Sequence, residues 1–378
     1  MVSERHIMVI VGTRPEVIKM APVVRELQSR AGTLRCTLVS TGQHREMLQQ
    51  TLSSFNLSCD VNLEIMKPGQ SLTGLTSWAI SACDEVFRTA RPDLVLVQGD
   101  TTTVLSAALA AHYNRIPVGH VEAGLRTYHR YNPFPEEMNR RLLASLATLH
   151  FAPTKRAARQ LQKEGVAASK IFVTGNTVVD ALEELRQSGY QQAVSEAVNN
   201  AVSLSNGRFV LITSHRRESL EGDLHIIVAA VRTLAKRFPD RLFFFPVHLN
   251  PNVRSIVVPA LSGIENITLS DPISYPDILH CLSAAELVLT DSGGLQEEAP
   301  SFGTPVIVLR RTTERPEGVK AGFARLVPIV HDKIVSAAAR WLRENRRLQL
   351  EGRPNPYGDG KAASRIVEIL SQESPVTF

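Results

Sequence analysis

Four clusters of polar residues follow apolar runs, and each holds a group able to move a proton. Asp100 lies in Gln98-Gly99-Asp100-Thr101-Thr102-Thr103, just past the run Leu94–Val97. Capping a helix is a common duty for such an aspartate. Glu122 lies in Gly119-His120-Val121-Glu122-Ala123-Gly124-Leu125-Arg126-Thr127. A carboxylate and an arginine in a loop this rich in glycine have few structural duties. Glu136 and Glu137 follow Pro133-Phe134-Pro135, whose prolines fix the approach to a helix. Stabilisation of the helix dipole competes with chemistry as their role. His215 stands in Thr213-Ser214-His215-Arg216-Arg217-Glu218, and a histidine followed by two arginines at a strand end is poorly explained as core. Crowded carboxylates raise one another's pKa, which suits general acid–base work.

A second kind of chemistry is written in Thr290-Asp291-Ser292-Gly293-Gly294-Leu295-Gln296-Glu297-Glu298-Ala299. Ser292, Gly293 and Gly294 bare successive backbone N–H groups after an apolar run. A helix starting there points its partial positive charge at an anion. Glu298, one turn on, can reach the vicinal hydroxyls of a ribose, so a nucleotide diphosphate fits better than inorganic phosphate. Near the other end, Gly12-Thr13-Arg14-Pro15-Glu16 repeats the strand-to-helix plan. Arg14 can fork onto a phosphate there. His248 and Arg315, each beyond a strand, are further ligand-contact candidates. No metal is needed: no Asp-x-Asp occurs, and the arginines can neutralise phosphate themselves.

The elements that position these residues alternate regularly. The first half offers strands at Ile7–Val11, Leu34–Ser40, Leu94–Val97, Val118–Val121 and Leu149–Ala152, with helical patterns between. The second restarts with Phe209–Thr213, Leu242–Pro246, Ile267–Leu269, Leu287–Thr290 and Val306–Leu309. Such alternation predicts an α/β protein of parallel sheets with helices on both faces. The Gln-, Ser- and Asn-rich stretch from Gln187 to Asn206 marks a boundary, giving domains over 1–187 and 188–361. A helix within 362–378 is expected to pack back on the first domain. Two doubly wound domains place ligand at the carboxyl ends of their strands, so the active site is expected in a cleft between them.

Composition narrows the class. At 378 residues, 43% hydrophobic and 21% charged, the chain is globular. Its net charge of +5 comes from scattered basic residues, so no nucleic-acid tract stands out. Cys36, Cys59, Cys83 and Cys281 form no metal pattern and are expected as free thiols in a reducing cytoplasm. The N-terminal apolar run is too short for a signal peptide. No apolar stretch approaches the roughly 20 residues that span a bilayer.

These motifs, in this order, resemble the non-hydrolysing UDP-N-acetylglucosamine 2-epimerases from about Ile7 to Leu370. Thr313-Glu314-Arg315-Pro316-Glu317 and Asn355-Pro356-Tyr357-Gly358-Asp359-Gly360 fit as well. The resemblance implies two Rossmann-like domains in the glycosyltransferase-B manner, a homodimer, and interconversion of UDP-N-acetylglucosamine with UDP-N-acetylmannosamine, with no added cofactor. An NAD route needs a dinucleotide site, and the first strand ends without GxGxxG. Elimination remains: the C2 proton leaves as UDP departs from C1, and UDP adds back to a 2-acetamidoglucal. Asp100, Glu122 and Glu136 then serve the two faces of C2, in an order left open. Arg14, Ser292, Gly293 and Gly294 stabilise the leaving diphosphate. By the same resemblance Lys19 and Arg315 contact substrate, Glu298 holds the ribose and His215 is essential. Gln43, Gln70, Arg216 and His248 fit a second, regulatory substrate site, although Glu46 and Gly69 depart from the residues some members place there. The product is expected to feed cell-surface polysaccharide synthesis. Alternatives are a retaining glycosyltransferase, a hydrolysing epimerase, an epimerase of a modified UDP-amino sugar and a catalytically silent nucleotide-sugar sensor.

Overall fold

The structure is a computed structural model that describes residues 4–42, 45–66, 69–214 and 222–372. Expectations placed on Gln43, His215 and Arg216 fall outside these residues. The chain divides into two compact units, Met1–Arg186 with Tyr357–Phe378, and Gln187–Pro356.

The first unit holds β1 (Arg5–Val11), β2 (Leu34–Ser40), β3 (Val61–Asn62), β4 (Leu94–Gln98), β5 (Val118–Val121), β6 (Leu149–Ala152) and β7 (Ile171–Val173). They pair in the order β3-β2-β1-β4-β5-β6-β7, every neighbour parallel. The second unit holds β8 (Phe209–Thr213), β9 (Leu242–Pro246), β10 (Ile267–Ser270), β11 (Ala285–Thr290), β12 (Val306–Leu309) and β13 (Ala324–Val327). Their order is β10-β9-β8-β11-β12-β13, again all parallel. Both sheets are doubly wound, and each reverses strand order once, between β1 and β4 and between β8 and β11. Central strands are buried on both faces, so they read as continuous apolar runs such as Leu94-Val95-Leu96-Val97.

Small side chains let helices approach closely. The helix Thr102–Tyr113 packs against the helix Leu72–Ala90, and its Ala107, Ala108, Ala110 and Ala111, all fully buried, share a core with Cys83 and Phe87 of that helix. Thr101 starts it by accepting a hydrogen bond from Val104 N at 3.3 Å. After Pro356 the chain rejoins the first unit. Asn176 N donates to Tyr357 O at 2.9 Å, and Ala363 N donates to Asp180 Oδ1 at 2.8 Å. The helix Ala362–Gln372 then lays Ile366, Val367 and Leu370 in the same core as Met20, Val23, Val24 and Leu27 of the helix Arg14–Ser29.

Candidate active site

In the first unit the polar clusters gather at the carboxyl ends of β1, β4 and β5. Glu122 follows β5 with φ of 64°, a left-handed backbone that costs energy outside glycine. Its carboxylate is buried and ion-paired with Lys19, and Oε2 also accepts from Gln98 Nε2 at 2.8 Å. Lys19 comes from the helix after β1 and Gln98 from the end of β4, so three adjacent elements converge on one carboxylate.

Asp100 follows β4 through Gly99, whose φ is 84°. Its Oδ2 accepts from Arg140 Nε at 2.8 Å and Nη2 at 2.6 Å. Asp100 and Glu122 thus each have a buried cation beside them. Glu136 opens the helix Glu136–Leu146 and is half-buried. Glu137, beside it, is fully buried and structural: it accepts from Thr127 N at 2.9 Å and Tyr128 N at 3.0 Å, and pairs with Arg140 Nη1 at 3.0 Å. Arg126 also has a structural duty that its glycine-rich loop did not suggest. It forks onto Glu164 and donates to Leu125 O at 2.8 Å. His120 donates from Nε2 to Gly99 O at 2.8 Å, and burial pushes its pKa down to about 3, so it holds the Gly99 turn as a neutral ring.

The Gly12–Glu16 turn differs from the expected anion cradle. Glu16 Oε2 accepts from Gly12 N at 2.6 Å and Thr13 N at 3.2 Å, so those two donors are already used. Arg14, half-buried at the first position of its helix, is what this turn offers to a phosphate. Burial raises the Glu16 pKa to about 7 against hydrogen bonds that lower it. The folded state therefore holds this proton after the unfolded chain has lost it. Its stabilisation is complete below about pH 4.5 and is lost as pH rises through about 7. The stability difference between wild type and Glu16→Gln should therefore move by about 3 kcal/mol against wild type between pH 4.5 and 8. Denaturant titrations across that range measure it; a constant difference would refute the assignment.

In the second unit the ends of β8 and β11 are tied across the point where strand order reverses. Thr213 Oγ1 and Thr290 Oγ1 lie 2.6 Å apart, and Ser214 donates to Asp291 Oδ2 at 3.0 Å. Ser292 stands just before the short helix Gly293–Glu298 without a side-chain capping bond, and its N–H is taken by Thr290 Oγ1 at 2.9 Å. Gly293 and Gly294, as the first residues of that helix, have no carbonyl partner within it and are the donors left for an anion. Arg315 lies over this turn. A methyl group on Gly293 would stand 2.6 Å from its Nη1. The guanidinium is buried and pairs with Glu297 at 2.6 Å and with Glu314. Glu298 is buried and accepts from Tyr275 OH at 3.3 Å. His248 is exposed beyond β9, its Nδ1 accepting from Asn250 N at 3.1 Å; Gln70, in the first unit, is half-buried.

Sequence reasoning missed Gln98, Arg140, Asp291 and Glu297, the residues that hold the candidates. One signal was present: Arg140 stands one helical turn after Glu136 and Glu137, on the face they share. Among the described residues, no cluster of three or more His, Cys, Asp or Glu side chains is placed to hold a metal.

Comparison with known proteins bears on this arrangement. A family model described as UDP-N-acetylglucosamine 2-epimerase matches residues 25–371. The chain is 48% identical over 372 residues to a "Probable UDP-N-acetylglucosamine 2-epimerase" of Ralstonia solanacearum, covering 97% of this chain and 98% of that protein. It is 46% identical over 368 residues to the UDP-N-acetylglucosamine 2-epimerase of Escherichia coli (strain K12), covering 96% and 98%. Among solved structures, it is similar to the UDP-GlcNAc 2-epimerase from Neisseria meningitidis bound to UDP-GlcNAc. The TM-score is 0.91 at 43% identity, over 97% of this chain and 100% of that one.

Proposed function

We propose, from the premise that the chain belongs to the UDP-N-acetylglucosamine 2-epimerase family, that it interconverts UDP-N-acetylglucosamine and UDP-N-acetylmannosamine by elimination and re-addition of UDP. The observation that carries this reading is the pair Asp100 and Glu122 on adjacent strand ends, each beside a buried cation.

The C2 hydrogen has no neighbouring carbonyl to acidify it, so its loss must be linked to departure of the leaving group. In this reading UDP leaves C1 as a carboxylate takes the C2 proton, giving a 2-acetamidoglucal. UDP then returns to C1 while a proton is delivered to the opposite face of C2. Asp100, Glu122 and Glu136 share these transfers, and His215 assists them. The free N–H groups of Gly293 and Gly294, with Ser292, Arg315 and Arg14, stabilise the departing diphosphate. Lys19 holds Glu122 beside the sugar, and Glu298 binds the ribose hydroxyls. The enzyme works as a cytoplasmic homodimer and supplies activated amino sugar for cell-surface polysaccharide.

Incubation with UDP-N-acetylglucosamine alone in deuterium oxide tests the proposal. The expected products are both UDP-sugars at equilibrium, each carrying deuterium at C2. Release of free N-acetylmannosamine with UDP would make the protein a hydrolysing epimerase. Turnover only with an acceptor, and without C2 exchange, would make it a glycosyltransferase.

A further inference from the structure

The helix that begins with Glu136 also grips Asp100. Asn139 Nδ2 donates to the Asp100 backbone oxygen at 2.8 Å, while Arg140 takes the Asp100 carboxylate by Oδ2 with two nitrogens. Arg140 is itself fixed from behind. Its Nη1 donates to Glu137, and Glu137 is tied to the backbone at Thr127 and Tyr128. The result is one buried chain, from the 127–128 loop through Glu137 and Arg140 to Asp100. Arg140 and Glu137 side chains are 4% and 1% exposed, against 26% for Asp100. The carboxylate thus lies at the solvent end of the chain, and its Oδ1 makes no hydrogen bond to a described residue.

We infer that Arg140 is a positioning residue for the reaction, holding the Asp100 carboxylate by one oxygen at a fixed place relative to Glu136, so that the other oxygen meets the sugar.

This inference rests on the epimerase reading. A planar guanidinium with two parallel donors sets both the direction and the distance of its partner, which an ammonium on a flexible stem does not. Asn139 and Arg140 lie three and four residues after Glu136, so one rigid helical turn spaces two of the three proposed proton-transfer groups. Proton transfer at carbon is sensitive to such spacing: a misplacement of about 1 Å costs about 10²-fold in rate. Arg140 touches neither substrate nor diphosphate in this scheme, so its loss should leave binding almost untouched.

The test uses the full chain with Arg140→Lys and Asn139→Ala, first checked for folding by circular dichroism and gel filtration. Arg140→Lys keeps a cation for Glu137 and Asp100 but loses the fork. The expected result is a kcat lowered by about 10²-fold with KM within about threefold, and C2 deuterium exchange falling in step. Asn139→Ala, which frees the Asp100 backbone but leaves the guanidinium, should lose about tenfold in kcat. If Arg140→Lys does not fold, Asn139→Ala decides by the same split between kcat and KM. A folded Arg140→Lys with kcat within twofold of wild type, or with the loss confined to KM, overturns the inference. Wild type without C2 exchange would instead sink the epimerase reading, so the two failures are distinct.

Discussion

Asp100→Asn is expected to lower epimerase turnover by about 10²–10⁴-fold while leaving the protein folded. Asparagine keeps the shape of the side chain and an oxygen for Arg140 to donate to. The guanidinium is not stranded either, because Glu137 remains beside it at 3.0 Å. What disappears is a group able to accept and return a proton. Deuterium incorporation at C2 should fall with turnover, while binding of UDP changes little. Turnover within a few-fold of wild type would remove Asp100 from the proton path and leave Glu122 and Glu136 to carry it.

The second large effect concerns stability. Lys19 and Glu122 form an ion pair whose side chains are each 6% exposed. Breaking such a pair from one side leaves an uncompensated charge in a poor solvent, at a cost of about 3–5 kcal/mol. Lys19→Met should therefore destabilise the protein by about that much and abolish activity. Lys19→Met combined with Glu122→Gln removes both charges and keeps an acceptor for Gln98. The double variant should recover most of the lost stability and none of the activity. Equilibrium unfolding in denaturant, with the epimerase assay alongside, separates the two roles. A single variant within 1 kcal/mol of wild type would mean that the buried pair carries no such penalty.

Much of the architecture was legible because both sheets are covered on two sides. Strands β2, β5, β6, β8, β9 and β12 begin and end where their apolar runs do. The strands that escaped notice, β3, β7 and β13, lie at sheet edges and have three of the least continuous patterns of burial. With one neighbour and one wet side, an edge strand needs no apolar run. The polar clusters were legible for a related reason: in a parallel sheet every strand delivers its following loop to the same end. Their internal wiring was not. Arg126, in a loop credited with few structural duties, holds Glu164, a partner 38 positions away. Glu16, given no role of its own in the strand-to-helix turn, occupies the N–H groups of Gly12 and Thr13. Such pairings depend on which elements meet in space, and periodicity along the chain carries no record of that.

The return of the chain after Pro356 has a consequence for synthesis. The unit over Gln187–Pro356 is one uninterrupted stretch, whereas the core around Met20 and Leu27 waits for Ile366, Val367 and Leu370. At a ribosomal pace of about 5–20 residues per second, the intervening stretch takes about 10–30 s to emerge. For that interval the nascent amino-terminal half carries an uncovered greasy stripe. The half made first is thus the half finished last, and a chaperone would find its grip there.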